Sequence, residues 1–289
     1  VSISQLSQGN DHFIIWLMLV FGILCLILVV QRERSHRNPI LSPAIFCSKS
    51  FLSNQYVRLV GQMVFIVPMI TFPLYLNNIH HVSSLQLGLI MSAFTISIAL
   101  FSPFAGRLTD QVGAAFVNLI SLLLIPLICI VVILFGLYPN LFTMLSVLIL
   151  AGLVVATNFT GTTISSIQAV AHHDETSATS IVFTFAMFGD VFGLILYSAT
   201  SSFLTQRWLQ HNPIVNGLQA THSQLLALYN AVTGVLSLKG LSLHFNQQIL
   251  QQLRPAITHQ FLYSFSVTFI IITVMAIIAI VLNQHYTYR

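Results

Sequence analysis

The chain has 289 residues, 10 of them Lys or Arg and 6 Asp or Glu, so 6% are charged where a soluble domain carries about 25%. With 56% hydrophobic residues and a mean hydropathy of +0.89, there is too little polar surface to cover a globule in water. That excludes a soluble enzyme, a nucleic-acid binder, a disordered tail and a secreted disulfide scaffold; the net charge of +4 reads as the Lys/Arg excess of cytoplasmic loops.

Seven apolar runs are long enough to span a bilayer, at about 20 residues per crossing: 13–30, 57–78, 86–105, 114–136, 141–161, 178–202 and 261–283. Polar residues 2–11 precede the first run without a basic leader, so no cleaved signal peptide is expected. Arg32, Arg34, Arg37, Lys49 and Arg58 follow it and mark a cytoplasmic segment. Alternation then places Arg107, the 162–177 loop and Arg289 inside. Outside fall 79–85, 137–140 (with the turn signal Tyr138-Pro139-Asn140) and 203–260, which holds Arg207, Lys239 and Arg254. The expectation is a multi-pass protein of the cell (inner or plasma) membrane, with the N-terminus of this chain outside and its C-terminus cytoplasmic.

Two short amphipathic helices are expected on the outer membrane face within 203–260. One carries Leu225, Tyr229, Val232 and Leu236 at helical spacing, the other Ile249 and Leu253. An eighth span over 225–243 is rejected because Asn230, Gly234, Lys239 and Gly240 interrupt it.

The sequence Gly106-Arg107-Leu108-Thr109-Asp110-Gln111-Val112-Gly113 reads as a tight cytoplasmic turn. Gly106 and Gly113 would let the backbone bend and two helices approach. Arg107 and Asp110, at i and i+3, would bond helix ends, forming and breaking as helix bundles rock. A solubilising turn that only fixes topology is the alternative.

Asp190 is the one carboxylate inside a predicted span, with no basic residue of a span expected to pair with it. At mid-helix a charged carboxylate costs about 2.5–3.5 kcal/mol on insertion scales. It should therefore face a water-filled cavity or stay protonated, as a proton or cation site; a neutral acid at the helix contact of Gly189 and Gly193 is the alternative. Gln62, above Pro68 and Pro73, and Asn158 are candidate cavity polar residues, or else helix–helix hydrogen-bonding groups.

His172-His173-Asp174-Glu175 holds metal-ligand residue types, but neighbours on a helix diverge by about 100°, so a solvated helix cap is expected. His80-His81 is read the same way. Cys25, Cys47 and Cys129 form no metal or disulfide pattern. No metal or other cofactor is expected, and enzyme chemistry has no carrier.

The G-R-L-x-D-x-x-G turn between two spans resembles the cytoplasmic signature loop of the major facilitator superfamily, in its C-terminal-half copy. Phe72-Pro73-Leu74-Tyr75-Leu76, the run Ser83 to Leu89, Gly189-Asp190-Val191-Phe192-Gly193, and Arg32-Glu33-Arg34 with Asn38-Pro39-Ile40 are similar to the fourteen-helix drug:proton antiporter branch. The resemblance covers about 13–283. It departs at Gln111, Ala114 and Ala115, where the family loop carries basic residues, and at Asp190, where a small residue is common.

The resemblance implies an all-α membrane protein of seven transmembrane helices. They would be a linker helix (1–35), a cytoplasmic linker (36–56) and a six-helix C-terminal bundle of the major facilitator fold (57–289). It implies proton-coupled, multidrug-type efflux by alternating access. Membrane lipid, a small amphipathic substrate, protons and a missing N-terminal half would be the partners. An inactive or assembly-dependent fragment, from a longer, split or decayed gene, is the main alternative, and a seven-helix receptor a remote one.

Overall fold

The computed structural model describes residues 45–46, 48–79, 82–212, 222–234, 241 and 245–287, with 20–22, 24, 28 and 31 before them. The predicted first span, the basic residues Arg32, Arg34 and Arg37, and His80-His81 lie outside the described residues, apart from the isolated positions within 13–30. Every element among the described residues is helical, and six helices are long and apolar enough to cross a membrane.

Helix α1 (Lys49–Leu74) continues as a π-turn over Tyr75–Ile79. It is followed by α2 (Ser84–Val112), α3 (Ala114–Leu137) and α4 (Leu141–Gln168). A 3₁₀ turn at His172–Asp174 leads into α5 (Glu175–His211). The short α6 (His222–Val232) precedes α7 (Gln247–Thr287). The spanning helices run antiparallel in succession, so α1 begins, α2 ends, α3 begins and α4 ends at one end of the bundle, called here the Gly113 end. The opposite end, with Ile79, Pro139 and α6, is the Pro139 end.

Local chemistry sets these boundaries and corrects several predicted ones. Ser48 caps α1, its Oγ accepting from the Phe51 amide at 3.3 Å, so the helix starts at Lys49 rather than at 57 and absorbs the end of the predicted cytoplasmic linker. Arg58 is therefore inside a helix, not in a solvated segment. The predicted turn at 106–113 is also corrected: α2 stays helical to Val112, and Gly113 alone, at φ 88°, reverses the chain where a side chain would be strained. Asn140 opens α4, its Oδ1 accepting from the Thr143 amide at 2.9 Å.

The predicted 203–260 insertion shrinks from both sides, because α5 runs on to His211 and α7 starts at Gln247. Ile249 and Leu253 belong to α7, not to a separate helix. Helix α6 packs on the bundle instead of standing apart from it. Leu228, Ala231 and Val232 are buried in the main apolar cluster, and Tyr229 donates to Ser202 Oγ at 2.8 Å. Asn78 donates to the Gly234 carbonyl at 2.5 Å. Leu228 and Val232 find more apolar surface against α5 and α7 than a lone helix finds at an interface, so α6 caps the bundle.

Helix α4 packs against α1, α2, α3 and α5, and α1 also against α5 and α7. Within their apolar stretches α1 is 56% and α4 50% buried, but α2 only 11% and α5 28%. Large apolar side chains on α2 (Leu85, Leu89, Ile96, Leu100, Phe104) and α5 (Phe183, Met187, Val191, Phe192) are exposed accordingly. The contacts thus bury α1 and α4 and leave α2 and α5 open on broad apolar faces.

Candidate functional site

Glycine at 189 and 193 brings α5 against α1. A Cβ on Gly189 would stand 2.7 Å from both Gln62 Cβ and the Leu59 carbonyl oxygen, and one on Gly193 2.6 Å from Ile66 Cγ2. Such an approach, closed by small residues, is the usual way two helices meet without a hydrophobic driving force between them. It sets Asp190 beside α1. The Gln62 side chain reaches the Asp190 carboxyl group, and Arg58 stands one turn before Gln62 on α1. Asp190 Oδ1 is buried with no hydrogen-bond partner.

One buried basic residue, Arg58, stands on the same stretch of α1 as Gln62. Arg58 is 3% exposed, with its guanidinium carbon 4.2 Å from the centre of the Phe159 ring on α4. Its Nε, like Asp190 Oδ1, is buried without a partner. The two make no direct ion pair; those found among the described residues join His172 to Glu175 and His173 to Asp174. Arg58 was overlooked because, at the very start of the apolar run 57–78, it reads as one of the cytoplasmic charges. The capping signal Ser48 was the clue that the helix starts earlier.

At the Gly113 end, Arg107 and Asp110 are exposed on the last turns of α2. They bond neither each other nor a helix end. Only the amide of Gly113 closes the turn, donating to the Thr109 carbonyl at 3.0 Å. A Cβ on Gly106 would meet nothing within 4 Å, so this glycine serves no close approach inside the chain. Gly106, Arg107 and Asp110 all present themselves outward from the bundle.

Between α1, α3 and α4 at this same end lies a layer of buried polar side chains that the sequence reading missed. Asn118 donates to Ser165 Oγ at 3.0 Å and to Asn54 Oδ1 at 3.4 Å, and Gln55 to Ser166 Oγ at 2.9 Å. Ser53 Oγ, Asn54 Nδ2, Gln55 Oε1 and Asn118 Oδ1 remain buried and unbonded. Asn54 and Gln55 on α1 and Asn118 inside the predicted span 114–136 were its visible signal. Asn158 belongs to the same side of the bundle. It is 1% exposed and donates to the Val57 carbonyl at 3.1 Å, filling the space left by Gly61. The structure therefore places Asn158 in the α1–α4 contact, not on a cavity wall.

Gln62 and Asp190 remain together on a half-buried seam. A cleft of about 300 Å³ lined by Lys49, Leu52, Ser53, Tyr56 and Leu282 opens elsewhere, between the start of α1 and the end of α7. The expected histidine cap is solvated: His172 Nδ1 lies 2.5 Å from Glu175 Oε1, and the His172 side chain is almost fully exposed. No group of three or more metal-ligating side chains occurs among the described residues.

Residues 57–210 match the family described as the Major Facilitator Superfamily. An uncharacterised transporter of that type from Bacillus subtilis (strain 168), YvkA, is 25% identical over 209 residues, which are 71% of this chain and 46% of that protein. YcnB from the same organism is 27% identical over 110 residues, 37% of this chain and 23% of that protein. A crystal structure of a bacterial homologue of the human lysosomal transporter Spinster, inward-facing and occupied, superposes with a TM-score of 0.61 at 16% identity. That match covers 83% of this chain and 49% of the other. The chain thus spans less than half the length of the relatives it matches.

Proposed function

We propose that this chain, which belongs to the major facilitator superfamily, forms the C-terminal half of a secondary active transporter that exports amphipathic compounds in exchange for protons. It is a multi-pass integral membrane protein, and its family speaks for transport rather than enzyme chemistry. Alternating access needs two bundles rocking about a site near the bilayer midplane. The open apolar faces of α2 and α5 supply one wall, and residues outside this chain would supply the other.

The observation that carries the reading is Asp190. A carboxyl group well inside a spanning helix, half-buried at a seam with Gln62 and holding an oxygen without a partner, is costly unless it exchanges protons or binds a cation. In this reading Asp190 takes up and releases the coupling proton and Gln62 orients its carboxyl. Gly189 and Gly193 keep α5 close enough to α1 for both. Gly106, Arg107, Asp110 and Gly113 form the cytoplasmic contact that closes against the other bundle, which places the Gly113 end inside.

The test is proton-coupled efflux in vesicles carrying the complete transporter. Asp190→Asn should abolish the dependence of efflux on the proton gradient while leaving the protein in the membrane. Coupling equal to the parent protein's would remove Asp190 from the mechanism. The absence of any solute flux from the assembled protein would favour an inactive or assembly-dependent fragment instead.

A further inference from the structure

We infer that Arg58 is the counter-charge of Asp190, held opposite it across the α1–α5 contact, and that the pair is the element through which a proton taken up at Asp190 is felt by α1. The pairing does not depend on the proton-site reading above; only its consequence for coupling does.

Three observations lead to it. A guanidinium cannot be deprotonated in a protein, so Arg58, at 3% exposure, carries its positive charge inside the bundle. A buried charge is tolerated only when another charge or dense hydrogen bonding offsets it, and the Phe159 face at 4.2 Å supplies only part of that offset. Second, Gly189 packs directly on Leu59 and Gln62, the neighbours of Arg58 along α1, and so brings the next residue, Asp190, to the stretch of α1 that carries Arg58. Third, the orphan atoms are complementary: Arg58 Nε lacks an acceptor and Asp190 Oδ1 lacks a donor.

Among the described residues no other charge competes at this level. Helix α4 has no titratable residue. Along α1, Tyr56 turns away, its hydroxyl donating to the Met275 carbonyl on α7 at 3.5 Å. Tyr75, near the other end of α1, packs against Phe135. On α7, Arg254 donates to the Ile79 carbonyl at the Pro139 end. His259 and Tyr263 flank Phe261, which meets Tyr197 of α5 well beyond Asp190. Tyr229 of α6 is bonded to Ser202, further still along α5.

When a proton adds to the Asp190 carboxylate its negative charge is cancelled and Arg58 is left uncompensated on α1. Loss of that proton restores the pair. Next to Arg58, one turn along α1, Gln55 Oε1 and the Asn54–Asn118 pair offer polar contacts at the Gly113 end. Proton uptake therefore changes the balance of forces between α1 and α5 without moving any other charge.

The test is a melting cycle on the purified chain in detergent, with Arg58→Gln, Asp190→Asn, the double variant and Arg58→Lys. Each single neutralisation leaves an uncompensated buried charge and should lower the midpoint by about 5 °C or more. The double variant should recover at least half of that loss. Arg58→Lys, which keeps the charge, should stay closer to the parent than Arg58→Gln. The Arg58→Gln deficit should also shrink on acidification, because a protonated Asp190 needs no counter-charge, and this pH dependence should vanish when Asp190 is Asn. Additive losses, or an Arg58→Gln deficit that ignores pH, would overturn the pairing. If Arg58→Gln does not fold, a folded double variant supports the pair; an unfolded double variant beside a parent-like Asp190→Asn refutes it. Should efflux prove indifferent to Asp190→Asn, the proton-site reading fails while the melting cycle still decides the pairing.

Discussion

At the Pro139 end the space between α1, α3 and α7 is filled by rings. Phe72 meets Phe135 and Phe265 at 5.4 Å, Tyr75 meets Phe135 at 5.5 Å, and Phe265 meets Phe269 at 5.1 Å, with α6 packed over them. At the Gly113 end α1 and α3 meet each other and α4 through Asn54, Gln55, Asn118, Ser165 and Ser166. The first kind of packing has few equivalent alternatives, because displaced rings leave voids. The second retains unbonded donors and acceptors, so its hydrogen bonds can be exchanged for others at small cost. One end is thereby suited to hold helices in place and the other to let them shift, as the proposed rocking of the bundle would require.

Three measurements of unfolding and transport bear on that contrast. Phe72→Ala, which empties a site at 1% exposure, should lower the unfolding free energy in detergent by about 3–5 kcal/mol. A loss below that of any Gly113-end variant would break the comparison. Asn118→Ala removes two hydrogen bonds from a layer that is already partly unsatisfied and should cost about 1–3 kcal/mol in the same assay. A larger cost than for Phe72→Ala would make the polar layer the firmer end. Asp110→Ala, on an exposed side chain with no partner in the bundle, should leave stability within about 0.5 kcal/mol. In the complete transporter it should slow turnover; unchanged turnover removes Asp110 from the closing contact.

Much of the architecture was legible because a bilayer imposes length and apolarity on each crossing, and both are local properties. Every predicted span from 57 onward contains a long helix, and the turn at Tyr138-Pro139-Asn140 falls where its residues signal it. The ends were less legible. Helix α1 reaches back to Lys49 and α5 out to His211, because polar residues such as Gln55 and Thr205 are buried by neighbouring helices, which an apolar run does not record. The predicted turn at 106–113 failed for a related reason: Arg107 and Asp110 are charged but helical, and Gly113 alone breaks the helix.

Composition and spacing by themselves determined that this chain lies in a membrane as long helices, and singled out Asp190 as the carboxyl group that needs an explanation. Those conclusions follow from the cost of moving polar groups into hydrocarbon, a cost paid residue by residue. Which groups gather at the contact that holds Asp190 was decided only in three dimensions. Arg58, Gln62 and Phe159 come from two other helices, more than a hundred positions apart along the chain at the widest. They converge because Gly61, Gly189 and Gly193 lack the side chains that would have kept those helices apart.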